Sequence, residues 1–327
     1  MKTDEVKVII IIATWNKKKL LKECLKSLKK QTFNNFRIIV VDNASSDGTV
    51  RFLNKYYPNV KIIELGKNLG FSKAVNKGIK VSKTEYIILL NNDTVVDKNF
   101  VKYLVASLDK NKYYCACTAK MIDFKNRDIV LSAGDMMNNF GQSFSRGLGD
   151  DIRKWDKAEE VFLVTGGASI FRKKTFDKIG YFDEDFFVYG EDTDWCFRAQ
   201  ITGYKFYYEP KAIAYHHCKA TSKDMPKIVE YLQFRNMILT ILKCFPQKLF
   251  LRKGRFVGMI LIHLNTIFYM TIKGFLKEAI MADLWILFHL PGILRKRSLI
   301  QSKRKVAIGY IENWLCPKKV RLFGLSK

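Results

Sequence analysis

Short apolar segments alternate with longer amphipathic segments along the first 120 residues of the chain. The apolar segments have the length of β-strands, and their continuous hydrophobicity is typical of parallel strands that are covered on both faces. The segments between them repeat apolar residues three and four positions apart, which predicts helices. The predicted strands are 6–13, 36–42, 60–65, 86–91 and 114–119, and the predicted helices are 17–31, 49–57, 71–83 and 98–111.

This alternation predicts the fold class. Strands that alternate with helices of about 10–15 residues form βαβ crossovers, which build a mostly parallel sheet covered by helices. We therefore predict a Rossmann-like α/β domain. In open sheets of this kind ligands bind beyond the carboxyl ends of the strands, so the residues that follow each strand are the first candidates for a site.

Polar side chains follow three of the predicted strands. Thr14 and Asn16 follow the first strand, Asp42 ends the second, and the stretch 91–93 (NND) follows the fourth. The carboxyl ends of parallel strands share one edge of a sheet, so we expect these side chains to lie close together. For each cluster taken alone, helix capping or an Asx-turn remains an alternative explanation.

The pattern weakens between residues 120 and 165, where Gly, Asn and Asp are scattered through a long segment. We predict a long loop region of the kind that often shapes a substrate site. Regular structure returns at 161–171, where Gly166 and Gly167 interrupt an apolar strand. Paired glycines inside a strand indicate that backbone or ligand approaches closely there.

A second group of acids, Glu191, Asp192 and Asp194, opens a predicted helix that ends near Gly203. Acids in a first helical turn are favoured by its unpaired N–H groups, and we assign Asp194 this capping role. Glu191 and Asp192 lie among aromatic residues, where desolvation and like charge raise the pKa of a carboxyl group. Such a carboxylate is suited to act as a general base.

Two of the four histidines of the chain, His216 and His217, follow a further predicted strand. A single histidine is usually a packed or surface residue, and this alternative stays open. At a strand end close to the 91–93 stretch, however, an imidazole can join a carboxylate as a ligand of Mg²⁺ or Mn²⁺. We therefore treat His216 as a candidate metal ligand.

The composition narrows the class of partner. The net charge is +26, which favours phosphate-bearing partners such as nucleic acid, anionic membrane or a phosphorylated small molecule. Seven scattered cysteines without a CxxC pair predict neither a disulfide framework nor a zinc module, and they fit a reducing, cytosolic compartment. The start of the sequence lacks the basic leader of a secretory signal, so its apolar run is predicted to be the first strand.

Residues 226–327 differ from the rest of the chain in their charge and in the arrangement of their apolar residues. They hold 19 Lys and Arg but four acids, and apolar blocks alternate with the basic residues. We divide the chain into a catalytic domain, 1–225, and a helical basic region, 226–327. The uncharged run 256–272 is at the short limit for a membrane span, so we predict helices lying on the cytoplasmic face of an anionic membrane. Packing on the catalytic domain or on a second subunit is the alternative, and a homo-oligomer stays open.

The segments VVDNASSDGT, NLGFSKAVNKG, LLNNDT, GGASIF with YFDEDFF, and GEDTDWCFR with the following HH together resemble the GT-A inverting glycosyltransferases of family 2. The resemblance covers residues 6–222 in order and is closest to the rhamnosyltransferase-like branch. It implies a nucleotide-diphosphate-sugar donor, UDP- or dTDP-linked, and a divalent metal. It also implies an acceptor that is a glycan or a lipid-diphosphate-linked saccharide, and polysaccharide biosynthesis as the setting.

The resemblance also assigns roles to single residues. Asp192 matches the family's catalytic base, with Glu191 beside it, and Asp93 matches the last acid of the DxD metal motif, with His216 near the metal. Asn91 stands where that motif has its first acid, which leaves a single carboxylate for the cation. The residues assigned to the donor are Thr14, Asn16, Asp42, Asn68, Gly70, Asn76, Asn91, Asn92 and Asp93, and those assigned to the acceptor are Gly166, Gly167, Ala168, Asp183 and Trp195.

Three other classes of protein were weighed. A sugar-phosphate nucleotidyltransferase would carry a glycine-rich, lysine-bearing loop after the first strand, and the segment 13–17 (ATWNK) has no glycine. A nucleic-acid-binding protein would explain the charge, but no recognition motif is present and the basic residues alternate with apolar blocks. A catalytically inactive relative that binds sugar nucleotides or acts as a membrane scaffold remains the alternative.

Overall fold

The computed structural model describes residues 6–218 and 225–316. Twelve strands and eleven α-helices are present in these residues, and strand and helix alternate along the chain as far as β4. The strands are β1 (Val8–Thr14), β2 (Phe36–Asp42), β3 (Lys61–Glu64), β4 (Tyr86–Leu90), β5 (Thr94–Val96), β6 (Tyr114–Asp123), β7 (Val130–Ser132), β8 (Asp135–Met137), β9 (Ser143–Ser145), β10 (Glu159–Val161), β11 (Ala168–Arg172) and β12 (Lys205–His216). The helices are α1 (Lys18–Leu28), α2 (Thr49–Tyr56), α3 (Gly70–Val81), α4 (Phe100–Lys110), α5 (Lys173–Ile179), α6 (Glu191–Ile201), α7 (Pro226–Cys244), α8 (Gln247–Leu251), α9 (Arg255–Ile272), α10 (Leu276–Ser302) and α11 (Ile308–Trp314).

A mixed sheet forms the centre of the molecule in the order β10-β12-β6-β11-β4-β1-β2-β3. The pairs β1–β2, β1–β4, β2–β3 and β6–β12 are parallel, whereas β11 is antiparallel to both β4 and β6. The prediction of a mostly parallel, helix-covered sheet is therefore confirmed. Because β1 pairs β2 and β4 in parallel, the carboxyl ends of these three strands lie side by side.

Alternate residues of β1 enter two separate cores, one on each face of the sheet. Ile9 and Ile11 pack in one core, and Val8, Ile10 and Ile12 pack in the other. A strand buried on both faces needs apolar side chains at every position, which explains the continuous apolar run in the sequence. The buried residues of α1, Leu21, Cys24, Leu25 and Leu28, repeat at helical spacing and cover the second core.

The region predicted as a long loop contains more regular structure than expected. The strand β6 extends to Asp123, and β7, β8, β9 and β10 follow before the glycine pair. The strands β8 and β9 pair with each other, and each has three residues. The short strand β5 was also missed. Strands this short carry too few alternating positions for a periodic pattern to show.

The helices after residue 225 differ in how far they pack on the sheet. Cys244, Phe245 and Leu249 pack in the same core as β1, as does Ile311 of α11. The helices α9 and α10 instead expose many apolar side chains on their outer faces. Within the described residues α9, Arg255–Ile272, is the one helix whose length and composition would allow it to cross a membrane.

Candidate active site

The polar residues that follow β1, β2 and β4 meet at one edge of the sheet, as predicted. Thr14 and Asp42 are register partners at the ends of their strands, and Asn92 Nδ2 donates to Thr14 Oγ1 at 2.9 Å. Beyond this edge lies a cavity of about 290 Å³, which we call the strand-end cavity. Residues assigned to the donor that line it are Thr14, Asn68, Gly70, Asn91, Asn92 and Asp93.

Asp42 and Asn16 lie behind this lining and shape the loop after β2. Asp42 is buried, and its Oδ2 accepts the Ser45 N–H at 2.9 Å, while its Oδ1 has no hydrogen-bond partner in the described part of the chain. Asn16 Oδ1 accepts the Ser46 N–H at 2.9 Å. A buried carboxylate oxygen without a donor is an available acceptor for a ligand N–H or O–H.

Gly70 allows two segments of backbone to approach closely at the floor of the strand-end cavity. Its φ is +81°, and a Cβ atom there would lie 2.5 Å from the Phe187 carbonyl oxygen. Asn68 Oδ1 accepts the Gly70 N–H at 3.0 Å and fixes this turn. Asn76, also assigned to the donor, is placed elsewhere. Its side chain is fully buried and bonds both the N–H and the carbonyl of Phe182.

Asp93 and His216 form an ion pair in the strand-end cavity, with 3.1 Å between Asp93 Oδ1 and His216 Nε2. His216 reaches this position because β12 pairs with β5, where it is opposite Thr94. Burial disfavours the charged imidazole, but the hydrogen bond and the charge of Asp93 outweigh burial and raise the pKa of His216 to about 10.

The pair also suits a divalent cation. One carboxylate and one imidazole are ligands that Mn²⁺ accepts once the cation displaces the proton from the imidazole, and the remaining positions can be filled by water and phosphate oxygens. No cluster of three or more potential metal-ligating side chains occurs in residues 6–218 and 225–316. The residues present therefore fit a cation that binds together with a diphosphate.

A second cavity, of about 500 Å³, lies next to the first and contains the start of α6. We call it the carboxylate cavity, because Asp135, Glu191 and Asp192 all line it. Asp192 Oδ2 accepts the Gly166 N–H at 2.8 Å, and its Oδ1 accepts the Thr193 N–H at 2.7 Å. The two hydrogen bonds fix the orientation of the Asp192 carboxylate.

Glu191 and Asp192 differ in how strongly they hold a proton. Burial raises the pKa of Asp192, and the backbone N–H groups of Gly166 and Thr193 oppose this rise. Burial and the neighbouring charge of Asp192 raise the pKa of Glu191 well above its usual range. Glu191 Oε2 has no hydrogen-bond partner within the described residues. Asp192 therefore ionises first, which makes it the better candidate for a general base.

The capping role predicted for Asp194 is wrong. Its side chain makes no cap hydrogen bond and is fully buried. Asp194 Oδ1 accepts from Lys243 Nζ at 2.6 Å, and its Oδ2 accepts from Arg198 Nε at 2.8 Å. Burial opposes ionisation of Asp194, but Lys243 and Arg198 lower its pKa. The residue ties α6 to α7 by a buried ion pair.

Three residues assigned to the acceptor lie outside the carboxylate cavity. Asp183 binds Lys243 and Lys296 on the far side of α6, at 2.6 Å and 2.7 Å. Trp195 is buried among aromatic rings and donates from Nε1 to the Gly180 carbonyl at 2.8 Å. Ala168 is buried in β11. Gly166 and Gly167 do line the cavity, and a Cβ atom on Gly167 would lie 2.8 Å from Asn91 Nδ2.

Both cavities share a wall formed by Val188 and Tyr189, and sequence reasoning missed the residues that hold the segment 187–189 in place. Asn236 Nδ2 of α7 donates to the carbonyls of Phe186, Val188 and Tyr189 at 2.9, 2.9 and 2.6 Å. Arg235 Nη2 donates to the carbonyls of Asp185 and Phe186 at 2.6 and 3.1 Å. The available signal was this Arg-Asn pair directly before the mostly apolar run 237–242 of α7.

The same architecture occurs in solved glycosyltransferases. The mannosyltransferase PcManGT from Pyrobaculum calidifontis, in complex with GDP-Man and Mn²⁺, superposes with a TM-score of 0.55 at 16% identity over 95% of this chain and 86% of that one. GalNAc-T7 with UDP, GalNAc and Mn²⁺ superposes with a TM-score of 0.62 at 13% identity, over 89% of this chain and 58% of that one. TarS 1–349 of S. aureus with UDP gives 0.53 at 20% identity over 90% of each chain. These likenesses show a GT-A fold.

Sequence relatives point in the same direction. The poly-β-1,6-N-acetyl-D-glucosamine synthases of Staphylococcus epidermidis and of Staphylococcus aureus strain COL are each 24% identical over 210 residues, 64% of this chain. The chain spans about half the length of these curated relatives, since the match covers 49% of each. The model of glycosyl transferase family 2 matches residues 9–180, just over half of the chain. The chain therefore belongs to glycosyl transferase family 2.

Proposed function

We propose that this glycosyltransferase transfers a hexosyl or deoxyhexosyl group from a nucleotide-diphosphate sugar to an acceptor hydroxyl with inversion at the anomeric carbon. One observation carries this proposal. The strand-end cavity and the carboxylate cavity adjoin each other and share Phe71, Asn91, Val188 and Tyr189 as lining residues. A donor in the first cavity and an acceptor in the second would meet at this boundary, beside Asp192.

The chemistry assigned to the residues is a single displacement. Asp192 takes the proton of the acceptor hydroxyl while that oxygen attacks the anomeric carbon from the face opposite the nucleotide diphosphate. The new C–O bond forms as the bond to the diphosphate breaks, which inverts the configuration. The Gly166 N–H holds the Asp192 carboxylate in position during this transfer. Glu191 keeps its proton to higher pH and lies beside the base.

A divalent metal, Mn²⁺ or Mg²⁺, is part of the proposal. Asp93 and His216 would hold it, and when bound it would neutralise negative charge that develops on the departing diphosphate. Thr14 and Asn92 shape the same cavity next to Asp93. The resemblance assigns Asp42 to the nucleotide, and its buried Oδ1, which has no partner among the described residues, would reach a nucleotide N–H only after the lining shifts. The nucleotide of the donor is proposed to be UDP or dTDP. A rhamnosyltransferase-like enzyme, which would transfer a deoxyhexose, is one candidate within this proposal.

We assign the acceptor to a glycan or to a lipid-diphosphate-linked saccharide, at the cytoplasmic face of a membrane. The outer faces of α9 and α10 support membrane association, because they expose many large apolar side chains in the most basic third of the chain. Such helices lie in the lipid interface with apolar residues buried and basic residues at anionic headgroups. Exposed residues of α9 include Phe256, Val257, Ile260, Leu261, Leu264, Phe268 and Ile272.

Vesicle flotation tests the membrane part of the proposal. The full chain should float with vesicles containing phosphatidylserine and remain largely unbound with pure phosphatidylcholine. The double variant Leu264→Asp with Phe268→Asp, which places charge on one exposed face of α9, should lose flotation, whereas Tyr113→Asp, on an exposed tyrosine before β6, should keep it. Equal flotation of the double variant would mean that α9 does not contact lipid.

Calorimetric titration with UDP, dTDP and GDP, each with and without Mn²⁺, tests the donor assignment. Binding of one nucleotide that requires Mn²⁺ supports the strand-end cavity as the donor site. The sugar nucleotides of that base are then tested for transfer, and the anomeric configuration of the product is read by NMR. Absence of any binding would reject the active transferase and favour the scaffold alternative.

A further inference from the structure

The carboxylate cavity differs in charge from the molecule that surrounds it. The chain has 57 Lys and Arg against 31 acids. Of the described residues that line this cavity, none is a lysine, an arginine or a histidine, whereas three are acids: Asp135, Asp192 and Glu191, of which Glu191 keeps its proton to higher pH than Asp192. The rest of the polar lining consists of neutral side chains such as Ser143, Thr165 and Gln233. The cavity is therefore a site of negative potential in a strongly basic protein.

Asp135 is held rigidly in the cavity wall. Its N–H and carbonyl both bond Leu163, at 3.0 and 3.2 Å, which fixes β8 to the segment that leads to Gly166. Its Oδ1 accepts from Ser132 Oγ at 3.0 Å, and Ser145 also bonds the carboxylate. A carboxylate has about four acceptor positions, so Asp135 keeps capacity for a ligand.

Arg146, a cation that acts on Asp135, does not enter the cavity. Arg146 pairs with Glu159, donates from Nη1 to the Ala133 carbonyl at 3.1 Å, and stacks on the Trp155 ring. Arg146 is outside the cavity lining. Burial and the charge of Asp192 raise the pKa of Asp135, and the Arg146 charge opposes that rise from outside the cavity.

Glu191 provides an independent indication that a hydrogen-bond donor belongs in this cavity. Its side chain is 5% exposed, and its Oε2 has no hydrogen-bond partner within the described residues. Buried hydrogen-bond acceptors are normally paired, and a bound ligand could supply the donor that this oxygen lacks. A sugar hydroxyl or ammonium group would satisfy it, whereas a phosphate or carboxylate would bring a negative charge next to Asp192 with no cation in the described cavity lining.

We propose that the sugar unit bound in the carboxylate cavity carries no negative charge and that Asp135 determines this specificity by accepting a hydrogen bond from its hydroxyl or amino group. The inference rests on the proposed function, because it takes this cavity as the acceptor site. It deepens that function by naming the acceptor class. Uronic acids and phosphorylated sugars are excluded from this position, although a diphosphate further along the acceptor remains compatible with it.

The experiment compares acceptors that differ in charge. The full chain is incubated with the donor selected by titration, at about 0.15 M salt to suppress nonspecific attraction to its basic surface. A panel of oligosaccharides ending in glucose, glucosamine, N-acetylglucosamine, glucuronic acid or glucose 6-phosphate is offered, and extended products are measured by mass spectrometry. Neutral and amino-bearing ends should be extended at least about tenfold faster than the acidic ends, a difference of 1.4 kcal/mol.

The variant Asp135→Asn tests whether this residue sets the preference. The variant should lower the ratio of the extension rate of neutral acceptors to that of acidic acceptors, and it should raise the KM for the neutral acceptors. A purely structural defect would lower both rates alike. Asp128→Asn, on an exposed aspartate of the same region, should keep the wild-type ratio. An unchanged ratio in Asp135→Asn would overturn the role of Asp135.

The two proposals fail in distinguishable ways. If the wild-type chain extends glucuronic acid or glucose 6-phosphate as fast as glucose, the acceptor class is wrong while the glycosyltransferase stands. If the wild-type chain neither binds nucleotides nor releases them from any sugar nucleotide, the proposed function itself is rejected.

Discussion

The two cavities are built from different parts of the chain. The strand-end cavity takes much of its polar lining from residues that directly follow β1 and β4, so the sheet itself positions them. The carboxylate cavity is assembled from β8, β9, the glycine pair and the starts of α6 and α7. Side chains fixed by a continuous sheet suit a constant ligand such as a diphosphate, whereas short strands and loops allow the acceptor site to vary.

The comparison predicts that variants in the two cavities affect different steps, and Asp192→Asn should have the largest effect. Asparagine can still accept the Gly166 N–H but cannot act as a base, so transfer should fall by roughly 10²–10⁴-fold. Nucleotide affinity should stay near that of the wild type, because Asp192 lines only the carboxylate cavity. Rates of product formation and calorimetric titration measure the two effects.

The matched control for this variant is Asp177→Asn, which alters an exposed aspartate of α5 that pairs with Lys173. It should leave both transfer and nucleotide binding unchanged. Near-wild-type turnover in Asp192→Asn would place the base elsewhere, and Glu191 would be examined next.

Asp93→Ala should produce the converse result in the strand-end cavity. Loss of this carboxylate removes one of two potential metal ligands, so nucleotide affinity in the presence of Mn²⁺ should fall at least about tenfold. Chelation of the metal by EDTA should then change the affinity of the variant little. Titration with and without Mn²⁺ measures this, with Asp128→Ala as the control. Undiminished Mn²⁺ dependence would mean that the cation binds at another position.

The same contrast explains how far the sequence predicted the molecule. Runs such as that of β1 are long and doubly buried, so their continuous hydrophobicity predicted the sheet and placed Asp42 and Asp93 at the carboxyl ends of its strands. Asp192 and Gly166 were predicted from the resemblance and from local chemistry. Asp135 and Asn236 were missed, because their roles depend on contacts between elements distant in sequence, which periodicity does not report.

Asn236→Ala tests the wall that both cavities share and should have an intermediate effect. Phe187 and Tyr189 have φ values of 62° and 70°, a conformation that costs about 1–3 kcal/mol for each residue and needs support from outside the segment. Removal of three hydrogen bonds from Asn236 should weaken nucleotide binding and lower kcat together, each by several fold.

The control for this wall variant is Asn265→Ala in α9, whose Oδ1 has no partner among the described residues. Thermal unfolding is measured alongside the kinetics. A lower Tm with unchanged kcat and unchanged nucleotide affinity would show that the 187–189 segment keeps its shape without α7. That result would mean that the two cavities keep their function without these contacts from the helical region.

Glu191→Gln should have the smallest effect of the four variants, and it should stabilise the fold instead of impairing the protein. The pKa of Glu191 is higher in the folded chain than in the unfolded chain, so its contribution to stability is complete below the unfolded pKa and is lost as pH rises through the folded pKa. Glutamine does not ionise, so the variant keeps its stability as the pH rises. The Tm of the variant should therefore exceed that of the wild type at pH 8, by roughly 2–4 °C for each kcal/mol recovered, and the difference should shrink towards pH 4. Glu184→Gln, on an exposed glutamate, is the control. A variant with the same Tm as the wild type at pH 8 would mean that Glu191 is ionised without cost, and the assignment of the base to Asp192 would lose its electrostatic support.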